Sequence, residues 1–399
     1  MFVDALRQYR LLTADQLARL PQLAQGRSGH ARSLAKALVQ RSWLTVYQIN
    51  QLLAGRADEL VIGPYHVQDR LGQGGLSAVY LARHQEHRNL VAIKIIKPEV
   101  FADPAGRSQF LQEVEAMARL DHPNIVQFCD ADQWRDTYYF AMEYVEGTDL
   151  GKVVRLSGAL PVTEACDFVR QAALGLQHAY ERNLVHRDIK PVNLFLTHTS
   201  TGPRSAPTSL SSSRPSSKLT IQLKPLIKIL DWGLAYLRIP TGQAGVDEND
   251  RGIIGTVDYL APEQARSAHT VDTRGDIYSL GCTLYYLLTS QAPFPDGTLM
   301  QKIMAHQTAQ AKPIAEFRND VPADVIAVVE RMMAKEPADR FQTPASAALA
   351  LLPFTRRASL QTGSSAMLPT LRGKPSRTGR DDTPLPPTTN AAKHSIDAQ

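Results

Sequence analysis

The sequence lacks the residues that mark several classes of protein. Its three cysteines, Cys129, Cys166 and Cys282, are isolated and form no Cys-x-x-Cys pair. That argues against a zinc site or a disulfide framework and fits reduced thiols in a cytoplasmic protein. No apolar run follows the N-terminus as a secretory signal requires. The longest apolar stretch, around Tyr278 to Leu288, is broken by Ser279 and Gly281 and is too short to span a bilayer. Charge of one sign is scarce too: 44 Lys and Arg against 39 Asp and Glu leave +5 over 399 residues. Much of that excess sits in low-complexity segments, so nothing indicates a nucleic-acid partner. The expectation is a soluble, cytoplasmic protein with no membrane span.

Apolar material is sufficient for a sizeable core, at 43% of residues. Composition divides the chain into four regions. Residues 1–60 read as helical and carry a faint repeat, Leu12-Thr13-Ala14-Asp15-Gln16-Leu17 returning as Leu44-Thr45-Val46-Tyr47-Gln48-Ile49. Each copy is a Thr-x-x-Gln capping box ahead of helical apolar spacing, which suggests two related helical hairpins. Their role is open between a docking or regulatory module, with a dimer or adaptor contact, and a helical extension packed on the main domain.

Residues 65–353 form the main domain. Its first half is β-rich, with runs at Tyr65 to Arg70, Ala78 to Arg83, Val91 to Ile96, Ile125 to Asp130 and Tyr138 to Tyr144, and one helix at Ser108 to Leu120. The second half is mostly helical, as at Val162 to Arg182, Asp276 to Thr289 and Ala323 to Ala334. This is an α+β layout with a cleft between a β-rich and a helical half. Residues 197–225 are rich in Ser, Thr and Pro with no acid, and read as a disordered insertion between strand-like pieces Leu194 to Leu196 and Leu226 to Leu230. Residues 354–399 read as a disordered tail.

Three stretches carry chemistry. In Leu71-Gly72-Gln73-Gly74-Gly75-Leu76-Ser77, glycines between two β-like runs can let backbone amides close over a polyphosphate, although taken alone the stretch reads more readily as an ordinary glycine-rich hairpin turn. No Gly-Lys-Ser/Thr follows, and the next residues read as strand, which excludes a Walker A loop and a Rossmann turn. In Val91-Ala92-Ile93-Lys94 an amine ends an apolar strand and needs a partner. Glu113 is the candidate, and Glu115 the competing one, about 200° away around the helix. In His186-Arg187-Asp188-Ile189-Lys190-Pro191-Val192-Asn193, Asp188 can accept a hydroxyl proton, Lys190 can steady a phosphoryl group, and Asn193 offers an oxygen to a hard cation.

With Asp231-Trp232-Gly233, Ala261-Pro262-Glu263 and Asp276-Ile277-Tyr278-Ser279-Leu280-Gly281 following in order, the chain resembles a protein kinase. The Lys190-Pro191 pair, Thr256 and Ala261-Pro262-Glu263-Gln264 resemble the bacterial, eukaryotic-like (Hanks-type) serine/threonine kinases. The resemblance implies a bilobal fold and ATP-dependent, Mg²⁺-dependent transfer (or Mn²⁺ in its place) to Ser and Thr of protein substrates, autophosphorylation included. It implies Asp188 as base, Lys190 as γ-phosphate contact, and a Lys94–Glu113 pair at the α- and β-phosphates. Asn193 and Asp231 would hold the metal. Leu71, Gly72, Gly74, Gly75, Val79 and Ala92 would enclose the nucleotide, with Met142 as gatekeeper, Glu143 and Val145 in the hinge, and Asp149 at the ribose. Glu263 would pair with Arg340, and Asp276 would brace the catalytic loop.

Several positions depart from the pattern. Ser77 stands for the third loop glycine and Trp232 for the usual phenylalanine, and neither change removes a phosphate or metal contact. Few hydroxyls precede Gly255-Thr256, so either Glu248 or Asp250 supplies Arg187 with the charge a phosphothreonine would carry, or the stretch is a solvated acidic loop. The alternative is a pseudokinase scaffold, or an adaptor acting through the N-terminal module. A scaffold predicts loss of Lys94, Asp188, Asn193 or Asp231, and all four are present.

Overall fold

The computed structural model describes residues 2–24, 31–74, 77–98, 112, 114–200, 223–232, 257–266 and 271–355. Strands β1 (Val61–Ile62), β2 (Tyr65–Gln73), β3 (Ser77–His84), β4 (Leu90–Ile96), β5 (Phe128–Trp134) and β6 (Thr137–Glu143) form one sheet, ordered β1-β2-β3-β4-β6-β5. Every neighbouring pair is antiparallel. An antiparallel sheet with one wet face shows alternating burial, yet Val91, Ala92, Ile93 and Lys94 of β4 are all buried. The reason is that both faces of this strand are covered.

The N-terminal segment supplies one of the covers. Helices α1 (Phe2–Gln8), α2 (Ala14–Ala24), α3 (Ala31–Gln40) and α4 (Val46–Leu53), with a 3₁₀ turn at Ala57–Leu60, pack on the sheet. Leu6, Leu38, Leu52 and Leu60 share one continuous core with Val67, Val91, Ile93 and Tyr139. The module is thus packed on the main domain. Trp134 Nε1 donates to Val61 O at 3.1 Å, and Arg135 pairs with Asp58 at 2.6 Å, tying its far end to the β5–β6 turn.

The strand expected at Ile125 to Asp130 begins later, at Phe128. Ile125 and Val126 are instead drawn to Ile229 of the second lobe, by a parallel bridge and a 3.0 Å bond from Val126 N to Ile229 O. Of the helix expected over Ser108 to Leu120, Gln112 and residues 114–117 are described and are helical.

The second lobe holds α5 (Leu150–Ser157), α6 (Val162–Tyr180), α7 (Pro262–Arg266), α8 (Thr273–Thr289), α9 (Leu299–Thr308), α10 (Ala323–Met332) and α11 (Pro344–Leu351). Nearly every residue of α8 is buried, which makes it the axis of the lobe. Gly281 permits the approach of α10, because a Cβ there would lie 2.7 Å from that of Met332.

A small sheet, β7 (Thr148–Asp149), β8 (Leu194–Ser200) and β9 (Leu223–Ile229), adjoins these helices. Its hairpin corrects the expected insertion boundaries: Thr197 pairs with Leu226 and Ser200 with Leu223, so both ends of segment 197–225 are strand. Backbone pairing does not require apolar side chains, and Pro225 is tolerated because β9 is an edge strand. The expected tail starts too early as well, since Phe354 lies in a 3₁₀ turn packed on the core. Residues 201–222 and 356–399 lie outside the described residues.

Candidate active site

The catalytic loop is built around Asp276 of α8. Its buried carboxylate accepts from the backbone amides of His186 and Arg187, both at 2.7 Å. Burial pushes the Asp276 carboxyl pKa up, while those bonds and nearby cations oppose the shift. Arg187 has φ of 64°, a left-handed conformation that a non-glycine residue holds only when its surroundings impose it. A third restraint comes from Gln264, whose amide donates to Arg187 O at 2.8 Å and accepts from Ala261 N at 2.9 Å. His186 bonds Leu230 O at 2.9 Å and meets the Trp232 ring edge-on at 4.7 Å, joining the loop to the end of β9.

This scaffold presents Asp188, Lys190 and Asn193, all buried. Lys190 Nζ lies 2.9 Å from Asp188 Oδ1. Asn193, on the 3₁₀ turn Pro191–Asn193, donates through Nδ2 to Asp188 O at 2.7 Å and Asp188 Oδ2 at 3.2 Å. Because Nδ2 is spent on Asp188, the amide oxygen of Asn193 is the atom left to face a cation.

Across the cleft, Lys94 Nζ pairs with Asp231 Oδ1 at 2.8 Å. Its expected partner Glu113 lies outside the described residues. Glu115 is removed as a competitor, being exposed and bonded to Arg119 at 2.6 Å. Lys94, Phe140, Met142, Asp231 and Trp232 line one mainly apolar cavity.

The ladder brings the strand residues together. Gly72 pairs with Val79, Val79 with Lys94, and Ala92 with Met142. Gly74 N donates to Ser77 O at 2.8 Å. A Cβ at Gly72 would meet nothing within 4 Å, so protein packing does not demand glycine there. The open space suits a phosphate approaching the backbone. Leu71 is half-exposed at the rim, and Gly75 lies outside the described residues.

The hinge and ribose assignments are partly occupied by other duties. The Glu143 side chain accepts from Gln127 N at 2.9 Å and pairs with Lys228. Val145 is partly buried in the link that follows β6. Asp149 caps α5 by accepting from Lys152 N at 2.7 Å, with Arg155 at 4.0 Å.

Below the site, Glu263 and Arg340 form a two-pronged pair at 2.6 and 2.9 Å. Sequence reasoning missed Gln264, and also the 2.7 Å pair between Asp258 and Lys302 of α9. Gln264 directly follows Ala-Pro-Glu, but nothing local signals its partner 77 residues away. Glu248, Asp250 and Thr256 lie outside the described residues.

For a metal, the donors that fit are the Asn193 amide oxygen and the Asp231 carboxylate, hard oxygens suited to Mg²⁺ or Mn²⁺. Among the described residues no group of three or more His, Cys, Asp or Glu side chains is placed to hold an ion.

A cleft that opposes a strand lysine to a base, an amine and an amide is the mark of a bilobal phosphotransferase. The protein kinase domain matches residues 65–350, and the chain belongs to the protein kinase family. It is 32% identical over 285 residues to the serine/threonine-protein kinase PknB of Mycobacterium leprae, covering 70% of this chain and 41% of that protein. To the serine/threonine-protein kinase PrkC of Bacillus subtilis it is 31% identical, covering 71% of this chain and 39% of the relative. The chain thus spans about two fifths of these curated relatives. The crystal structure of the Mycobacterium tuberculosis PknI kinase domain is 28% identical, with a TM-score of 0.54 over 74% of this chain and 97% of that one. Rad53, solved in complex with AMP-PNP, shares the fold at 22% identity and a TM-score of 0.55, over 77% of this chain and 70% of that one.

Proposed function

We propose that the protein transfers the γ-phosphoryl group of ATP to serine and threonine hydroxyls of proteins, its own included. The observation that carries this reading is the buried Asp188–Lys190–Asn193 cluster facing the Lys94–Asp231 pair. The mycobacterial and Bacillus relatives, named as serine/threonine kinases, support the choice of acceptor.

The tasks divide among these residues. Lys94 holds the α- and β-phosphates, and the space above Gly72 admits them to the backbone. Lys190 turns from Asp188 to the γ-phosphate, and the Asp188 carboxylate meets the acceptor hydroxyl. The acceptor oxygen then bonds to the γ-phosphorus as the bridge to the β-phosphate breaks. The electron pair leaves with ADP, and the hydroxyl proton passes to Asp188. Asn193 fixes the carboxylate while this happens. A divalent ion on Asn193 and Asp231 supplies neutralisation of phosphate charge when bound.

No helix among the described residues is long and apolar enough to cross a membrane. The use of ATP and the three free cysteines support a cytoplasmic location. The test is incubation with γ-labelled ATP and Mg²⁺ followed by phosphoamino-acid analysis. Label on Ser and Thr is expected, and label on Tyr alone would refute the acceptor assignment.

A further inference from the structure

The two copies of the Thr-x-x-Gln repeat fold alike but are used differently. In the first, Thr13 N donates to Gln16 Oε1 at 2.9 Å and Gln16 N to Thr13 Oγ1 at 3.3 Å, both exposed, and among the described residues the cap bonds only within its own turn. In the second, Thr45 and Gln48 make the same reciprocal pair, at 2.9 and 3.1 Å. The second copy then reaches further. Thr45 Oγ1 donates to Gln68 O, and Gln48 Nε2 donates to Val67 O at 2.7 Å. Gln48 is 2% exposed, so its amide protons are placed where an unmet donor would be costly.

The receiving carbonyls sit at an irregularity in β2. Val67 pairs with Ala82 and Asp69 with Leu81, so Gln68 is an extra residue with no partner in the ladder. A second extra residue, Leu71, falls between Arg70 and Gly72. A bulge takes its extra residue off the ladder and leaves its backbone in need of another partner. Thr45 provides that partner for Gln68. Losing or moving the first bulge by one residue would turn everything after it in β2 to the opposite face. Gly72 and Gly74, the backbone over the nucleotide, follow a few residues on.

The helix carrying this cap is itself firmly placed. α4 lies in the core shared with Val67, Ala82, Val91 and Ile93, and the Trp134–Val61 and Arg135–Asp58 contacts hold the same module from the other side. We propose that the Thr45–Gln48 cap is a positioning element of the kinase site: it holds the β2 bulge and so sets the height and register of the glycine strand over ATP. The first repeat copy has no such role. The module thereby acts on nucleotide affinity from outside the family match, which starts at residue 65.

The inference rests on the nucleotide site proposed above, and the test separates the two. Affinity for a non-hydrolysable ATP analogue, KM for ATP, kcat and melting temperature are measured for wild type, Thr45→Val, Thr45→Ser and Thr13→Val. Thr45→Val is expected to weaken analogue binding and raise KM for ATP about three- to tenfold, with kcat at saturating ATP unchanged. Thr45→Ser restores both, and Thr13→Val, which loses an equivalent cap, leaves ATP affinity alone. Equal ATP affinity in Thr45→Val and Thr13→Val would overturn the proposal and leave the cap a purely structural feature. Should Thr45→Val not fold, hydrogen exchange on the wild type decides. Saturating analogue is expected to slow exchange at residues 45–48 as well as 69–74, by the reciprocity of linked sites. Unchanged exchange at 45–48 would count against it. Wild type that binds no analogue would instead refute the nucleotide site itself.

Discussion

Two kinds of buried ion pair sit within the same domain. Arg340, with no exposed surface, grips both oxygens of Glu263 and also donates to Ala334 O, Arg274 O and Lys335 O. Its planar fork is filled on every side, so the pair is a fixed strut between α7 and the end of the chain's second lobe. Lys190–Asp188 and Lys94–Asp231 are each held by a lysine, a point charge on a flexible stem. An ammonium on such a stem can rotate towards an incoming phosphate. In the proposed mechanism the Arg340 charge stays in place, and the charges of Lys94 and Lys190 turn to phosphate.

Breaking the strut should give the largest loss. Arg340→Met leaves the Glu263 carboxylate without its partner, and about 3–5 kcal/mol of stability should disappear in denaturant titration. If the loss is under about 1 kcal/mol, the pair is not a strut. Acid should attack the same region next. His306 is buried between Tyr278, Phe294 and the Lys335 amine, and burial first, then Lys335, pulls its pKa down from 6.5 to about 4. The unfolded chain binds that proton first, so stability present above pH 6.5 is lost as pH falls from 6.5 towards 4, by roughly 3 kcal/mol. The slope of melting temperature against pH should flatten in His306→Gln, and an equal slope would remove His306 as its cause.

The movable pairs should behave oppositely. Lys94→Met is expected to reduce kcat/KM for ATP by about 10–100-fold with little change in melting temperature. A large melting change would class Lys94–Asp231 with the struts. Lys302–Asp258, the lysine buried and the carboxylate half-buried, ties α9 to the segment before Ala-Pro-Glu. Lys302→Met should cost about 1–3 kcal/mol, read by the same titration.

Much of this comparison was legible in the sequence, because the kinase motifs are contiguous and each carries its own chemistry. The Glu263–Arg340 pair and the bracing by Asp276 followed from the family resemblance, and the helix at Val162 was placed to within two residues of its end at Tyr180. What stayed hidden depends on contacts made far along the chain. Ile125 looks like strand, yet it is claimed by Ile229, and Gln264 gives no local sign of reaching Arg187. The burial of the run Val91 to Lys94 was visible, and packing of the N-terminal helices on the domain stood as one of two readings, but which strand face they cover did not show. The repeat was seen at once, while the docking of only its second copy needed the bulge at Gln68.

The most direct measurement of the site is transfer from γ-labelled ATP by wild type and Asp188→Asn, with melting curves recorded on the same samples. The variant keeps its shape and neighbours but cannot take the acceptor's proton. Labelling should fall by about 10²–10⁴-fold while the melting temperature stays close to that of wild type. Equal labelling of the two proteins would contradict the assignment of Asp188 as the base.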